Sequence, residues 1–376
     1  MTAPLFWLNP EKGVAMQMLS FAVASLAVFG FAAAAPRFAF ADSKTTVSSP
    51  HVHQNLAVYF IHGESAAGPV PLTLQEALDK GSVRVLETGS VNELKIENTG
   101  SEDVFIQTGD IVKGGKQDRV LTMSFVLPPK SGEVALAAFC VERGRWSARG
   151  TESVAAFSSA GEMMPSREAK LAMRAPRPAA TGSIEENEDA AANGTEQMLS
   201  SNREYLRQSD VWASVAKVQG ALSAGLSSDV ASTSSATSLQ LSLENEKLKE
   251  ARTAYVKALQ SPGEGNNDIV GYVIAVNGRI SSADVYPSNA LFRKMWPKLL
   301  VAAVTEAIGS EPDKAAAPAP TAAGVTEFLA TAEKGSAQEQ VVNPLSHQEI
   351  RDADAALFVE ARRGDGAWVH RNYLAK

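Results

Sequence analysis

The stretch IVGYVIAVNGRISSADVY, residues 269–286, decides the fold class. Ile269 to Val276 is an unbroken apolar run, and Ile280 to Tyr286 is a second strand-like run. Asn277-Gly278 stands between them, and Asn-Gly suits the positive φ angles of a tight hairpin turn. Two strands joined this closely are antiparallel, because a parallel pair needs a long crossover. The hairpin therefore argues against a regular βαβ alternation.

The reading extends outward from this hairpin. Ser288 opens a helix through Leu291 and Met295 that Gly309 ends, with Pro297 kinking or restarting it. Before the hairpin, Leu241, Leu248, Tyr255 and Leu259 mark a helix stopped by Pro262-Gly263. Val211, Val215, Val218 and Leu222 mark another, with Asp210 as its cap. Residues 226–238 are a flexible Ser-rich break, and 172–200 lack periodicity and read as a disordered excursion.

The N-terminal half is β-rich, above all from Val91 to Trp146. Leu56 to Ile61 is the first strand, and Thr73-Leu74-Gln75-Glu76 forms a capping box for a short helix ending at Gly81. Leu121, Met123, Phe125 and Leu127 alternate, giving one strand with one buried face that Pro128-Pro129 stops. Val134 to Val141 is apolar throughout, as in a strand buried on both faces. Past the hairpin come a connector at 311–325, a helix near 325–333, and a last hairpin across Gly364-Asp365-Gly366. Strands, then helices, then hairpins predict an α+β fold with mixed or antiparallel pairing. The expected domain runs from 55 to 310, with 326–376 as an extension packed on it.

The chain has 376 residues, 45% hydrophobic and 20% charged, with a net charge of -7. That composition fits a folded domain and gives no general basic field for nucleic acid. Val14 to Ala35 is almost wholly apolar, and Ala39-Phe40-Ala41 supplies small residues ahead of a polar chain. This pattern predicts a signal peptide over 1–41, followed by a polar arm over 42–54. An exported protein without a membrane span is the expectation, and an uncleaved N-terminal anchor is the alternative. Cys140 is the only cysteine, which excludes an intramolecular disulfide and a Cys-based zinc site.

Two polar stretches stand out among the strands. In GDIVKGGKQDRV, Gly109 to Val120, the cations Lys113, Lys116 and Arg119 surround the pair Gly114-Gly115. Such glycines permit φ > 0, and their N–H groups can form an anion-binding concavity. No Ser or Thr follows Lys116, so this is not a Walker A loop. An ordinary solvated connection fits the same residues. In FCVERGRW, Phe139 to Trp146, Arg145 offers a fork for phosphate or carboxylate, and Trp146 offers a stacking face. Glu142 fits either an ion pair or a general base. Cys140 reads as a small core residue. His51, His53 and His62 lack ligand-like carboxylate neighbours, so no metal is assigned. His370 reads as a core histidine.

Together these stretches resemble one family, the ARG-and-rhodanese-phosphatase-superfamily-associated protein domain, where ARG denotes ADP-ribosylglycohydrolase. That family shows G-(D/E)-x-(L/V)-x-G-x-K-Q-x-R-(V/I)-L, then C-V-E-x-G-R-W about twenty residues later. Gly109, Gly114, Lys116, Gln117, Arg119 and Leu121 match the first part. Cys140, Val141, Glu142, Gly144, Arg145 and Trp146 match the second. The family name implies association with enzymes of ADP-ribose-type and phosphorylated compounds. It implies no reaction and no cofactor.

Three functions follow. The first is binding of a small anionic, phosphorylated or nucleotide- or sugar-like ligand by Lys113, Gly114, Gly115, Lys116, Gln117, Arg119, Arg145 and Trp146. The second is hydrolysis of such a compound, with Asp110, Asp118 or Glu142 as the acid or base, Glu142 and Asp110 foremost. The third is a structural module of the cell envelope.

Overall fold

The computed structural model of the protein describes residues 45–174, 192–310 and 317–376. The expected signal peptide lies outside the described residues, as do parts of the 172–200 excursion and of the 311–325 connector. The chain first forms strands Thr46–Val47 (β1), His51–His53 (β2), Leu56–His62 (β3) and Leu72–Thr73 (β4). Helix Leu74–Asp79 (α1) precedes Val83–Glu87 (β5), Glu93–Asn98 (β6), Val104–Ile106 (β7), Asp110–Gly114 (β8) and Arg119–Leu121 (β9). Phe125–Leu127 (β10), Glu133–Cys140 (β11) and Phe157–Met163 (β12) complete this β-rich part. Helices Arg167–Arg174 (α2), Ala192–Gly225 (α3), Leu239–Leu243 (α4) and Glu246–Glu264 (α5) follow. The hairpin Ile269–Val276 (β13) and Arg279–Val285 (β14) leads to Asn289–Gly309 (α6) and Ala322–Ala332 (α7). Ser336–Asn343 (β15), Ser346–Asp352 (β16), Ala356–Arg363 (β17) and Trp368–Ala375 (β18) come last.

The β13–β14 hairpin is the centre of a nine-stranded sheet of order β1-β3-β13-β14-β18-β17-β16-β15, with β2 added to β3. Its unbroken apolar run is explained by burial on both faces. Tyr272 and Ile274 meet Phe292 and Trp296 of α6 on one side. Val273 and Ala275 meet Val325 and Leu329 of α7 on the other. A six-stranded sheet, β12-β8-β9-β11-β6-β5, carries both motif stretches. A third sheet, β10-β7-β4, contains the parallel pair β4–β7. The fold is α+β with mixed pairing.

Local signals are realised where they are self-contained. Thr73 and Glu76 form the expected capping box, and Ser288 caps α6. Other expectations give way to tertiary packing. The alternating set Leu121 to Leu127 divides between β9 and β10, in different sheets, while its side chains share one core. Asp210 lies inside α3 and not at its start. Helix α5 runs through Pro262 to Glu264. Gly263 permits this, because a Cβ there would lie 2.3 Å from the Trp296 Nε1. Residues 46–53 pair with β3 where a free arm was expected. Strand β18 pairs with β14, so residues 326–376 complete the main sheet.

Candidate functional site

The two motif stretches meet at the β9–β11 pairing, where Arg119 faces Cys140 in register. The Gly114-Gly115 turn leads from β8 into β9, with φ of 118° and 55°. A Cβ on Gly115 would lie 2.2 Å from the Phe157 ring, so glycine is required by packing as well as by φ. The N–H groups of this turn, expected as donors to a ligand, are committed within the protein. Gly114 donates to Asp118 Oδ1 at 3.0 Å, Gly115 to the Ala156 carbonyl at 3.3 Å, and Lys116 to Glu87 Oε2 at 3.1 Å.

The buried charges pair with one another. Arg119, fully buried, donates from Nη1 to the Gln117 carbonyl at 2.8 Å and from Nη2 to Glu87 Oε2 at 3.4 Å. Arg145 places Nε and Nη2 each 2.7 Å from Glu142 Oε2. It also bonds the Gly114, Gly115 and Ser147 carbonyls. Arg149 makes a two-pronged contact with Asp118, Nη1 to Oδ2 at 2.8 Å and Nη2 to Oδ1 at 3.0 Å. Burial works against the Arg149 cation, yet its bonds to Asp118 and Glu152 hold its pKa above the ordinary value.

The Ser-rich stretch 226–238 supplies two further donors. Ser235 Oγ reaches Glu142 Oε1 at 2.5 Å. Ser238 Oγ reaches Asp118 Oδ2 at 2.9 Å and also caps α4. These serines, Glu87 and Arg149 complete the cluster, and neither motif contains them. The serines' only sequence sign is their abundance, and Glu87 carries none beyond its place at a strand end. Asp118 and Glu142, both 0% exposed, therefore have every oxygen engaged. Such a network is expensive to break, since removing one partner leaves a buried charge and costs about 3–5 kcal/mol.

The remaining candidates lie at the rim or elsewhere. Lys113 pairs with Glu244 at 2.8 Å. Trp146 is 45% exposed, with Lys116 Nζ 5.0 Å above its ring and Arg119 Cζ 5.7 Å away. Among the described residues neither Lys116 nor Arg143 has a carboxylate within ion-pair distance; Arg143 Cζ lies 5.7 Å over the Trp212 ring, and Lys116 is the one beside Trp146. Cys140 is buried, and its thiol is pushed up to about 11, chiefly by burial. Asp110 accepts from Lys298 Nζ at 2.8 Å and from the Gln107 N–H at 2.9 Å, away from Glu142's partners.

His370 belongs to a second buried network. Its Nδ1 lies 3.0 Å from Ser124 Oγ and its Nε2 3.0 Å from Asp284 Oδ1. Tyr272 and Asn372 also donate to Asp284, each at 2.8 Å. Burial opposes the Asp284 anion, but the His370 hydrogen bond and charge draw its pKa down to about 2. Ser124, Asp284 and His370 are all buried, and together they tie the main sheet to the loop ahead of β10.

An α+β domain built around a two-part polar motif defines the class. The chain belongs to the ARG and Rhodanese-Phosphatase-superfamily-associated Protein domain family, whose family model matches residues 44–374. The match includes residues 326–374, which β18 joins to the main sheet. Comparison with curated proteins and with solved structures gives no match.

Proposed function

We propose that this domain binds a small anionic ligand carrying a ring or sugar face, at the rim formed by Lys116 and Trp146. The observation that carries this reading is a motif lysine without a carboxylate partner among the described residues, set over an exposed aromatic ring. Lys116 supplies a point charge for a phosphate or carboxylate. Trp146 supplies a stacking face. The ion pairs of Arg119, Arg145 and Arg149 beneath them hold the loop in shape. This geometry supports binding over turnover, because Glu142 and Asp110 have both carboxylate oxygens occupied. The apolar run ahead of Ala41 supports a location outside the cytoplasm.

The test is calorimetric titration of the purified protein with ADP-ribose, AMP and ribose 5-phosphate. Saturable binding that falls by roughly tenfold in Lys116→Ala and in Trp146→Ala, with urea stability retained, is expected. No saturation by any of the three overturns the reading. Turnover of a probe that disappears in Glu142→Gln replaces it with hydrolysis. Mass spectrometry of the protein from its native host is expected to find an N-terminus at Asp42. A chain retaining Met1 or Met16 in the cytosolic fraction removes the export proposal.

A further inference from the structure

A different place in the molecule has cations that no carboxylate contacts among the described residues. Arg174, in the last turn of α2, and Arg207, in α3, line one cleft of about 270 Å³. The hairpin β15–β16 and the end of β11 form its other walls through Val342, Ile350 and Phe139. Nε and Nη1 of Arg174 and Nε of Arg207 are inaccessible to solvent and, among the described residues, meet no hydrogen-bond acceptor. No Asp or Glu lines the cleft among the described residues. A buried N–H without an acceptor costs about 1–3 kcal/mol, and more when it is charged.

We infer that this cleft is a binding site for a small organic acid, a carboxylate or phosphate monoester with an apolar body. The two guanidinium groups take the oxyanion, which matches their planar forks. The apolar body lies against Met123, Phe139, Met173 and Ile350, which line the same cleft. Burial lowers the Arg174 pKa to about 10, and its electrostatic support comes from Asp284. Asp284 is itself held by His370, Tyr272 and Asn372, so it does not neutralise Arg174 by contact. A bound oxyanion removes that deficit.

The cleft is placed by the motif without sharing its ligand groups. Gln208, next to Arg207, brackets Cys140, accepting from its N–H at 2.8 Å and donating to its carbonyl at 2.9 Å. This fixes α3 against the end of β11. The site is thus separate from the Lys116–Trp146 rim, and the two proposals fail independently.

Phenyl phosphate, benzoate, inorganic phosphate and the neutral analogue benzyl alcohol serve as probes by calorimetric titration of the whole protein. Saturable one-to-one binding of phenyl phosphate or benzoate is expected, and which one binds identifies the oxyanion. Arg174→Gln and Arg207→Gln should each weaken it by roughly tenfold or more. Ile350→Trp, which fills the apolar wall and keeps both cations, should weaken it as well. Lys116→Ala should leave it unchanged. Absence of saturation by both acids overturns the inference. So does equal affinity for benzyl alcohol, or unchanged affinity in both arginine variants. Inorganic phosphate binding as tightly as phenyl phosphate denotes an adventitious ion only, and overturns the assignment of an organic acid.

Discussion

The motif cluster and the two-arginine cleft use the same residue type in opposite ways. In the cluster, Arg119, Arg145 and Arg149 each contact buried carboxylates, and Asp118 and Glu142 have no oxygen to spare. Arg119 Nε is also buried without an acceptor, but in the cleft Arg174 and Arg207 have, among the described residues, no contacting carboxylate at all and lie among apolar walls. A guanidinium in the first setting stabilises the fold and is closed to ligands. In the second it costs stability and is open to them. The comparison teaches that a motif rich in cations can be a structural device, and that ligand chemistry is sought where pairing stops.

The largest expected effect tests the closed side. Glu142→Ala leaves Arg145 and Ser235 without their acceptor, and should cost about 3–5 kcal/mol in urea unfolding. A cost below about 1 kcal/mol would place Glu142 outside the buried network and break the comparison. Next is Gly115→Ala, which sets a Cβ against the Phe157 ring and forces φ of 55° on alanine. It should cost about 2–3 kcal/mol, with partial recovery in Gly115→Ala/Phe157→Ala.

Acid unfolding probes the other buried network. The folded-state pKa of Asp284, about 2, lies below its ordinary value of 3.8. Its contribution is therefore fully present above the ordinary value and is lost as pH falls towards the folded one. The size is about 2 kcal/mol across that interval. Asp284→Asn should flatten the acid limb of the stability curve there. An unchanged limb would show that the anion is not stabilised in the fold.

The smallest effects sharpen the comparison most. Arg174→Gln should be neutral or stabilising by up to about 1 kcal/mol, since it removes a buried cation that lacks a contacting partner. Destabilisation like that of Glu142→Ala would make the cleft another closed cluster. Lys116→Ala should change stability by no more than about 0.5 kcal/mol while acting on ligand binding.

Much of the fold was legible from local signals. Asn277-Gly278 fixes a turn by backbone conformation alone, and Thr73 with Glu76 caps a helix within four residues. The alternation from Leu121 to Leu127 misled, because burial reports the shared core and not the sheet. Pro262 misled as a stop, since packing of Gly263 on Trp296 carries α5 one turn further. The motif halves were legible, but their meeting at the β9–β11 pairing was not. Nor were the partners of the motif. Ser235 and Ser238 come from a stretch whose composition reads as a flexible break, and Glu87 from an unremarkable strand end. Only three-dimensional folding brings these donors and acceptors to Asp118, Glu142 and Lys116. Arg174 and Arg207 were invisible for the opposite reason. Their distinguishing property is the absence of a contacting carboxylate among the described residues, and sequence does not encode which carboxylates fail to arrive.

The order of strands in the main sheet sets a kinetic problem. Val58 pairs with Ile274, and Ala283 with Tyr373, so the central hairpin finds its neighbours only across long intervening chain. Pairings of that kind close large loops before any contact rewards them, which slows folding. Until residue 375 has emerged, β14 presents an uncovered edge. The newly made chain thus carries that uncovered edge until its last strand is made.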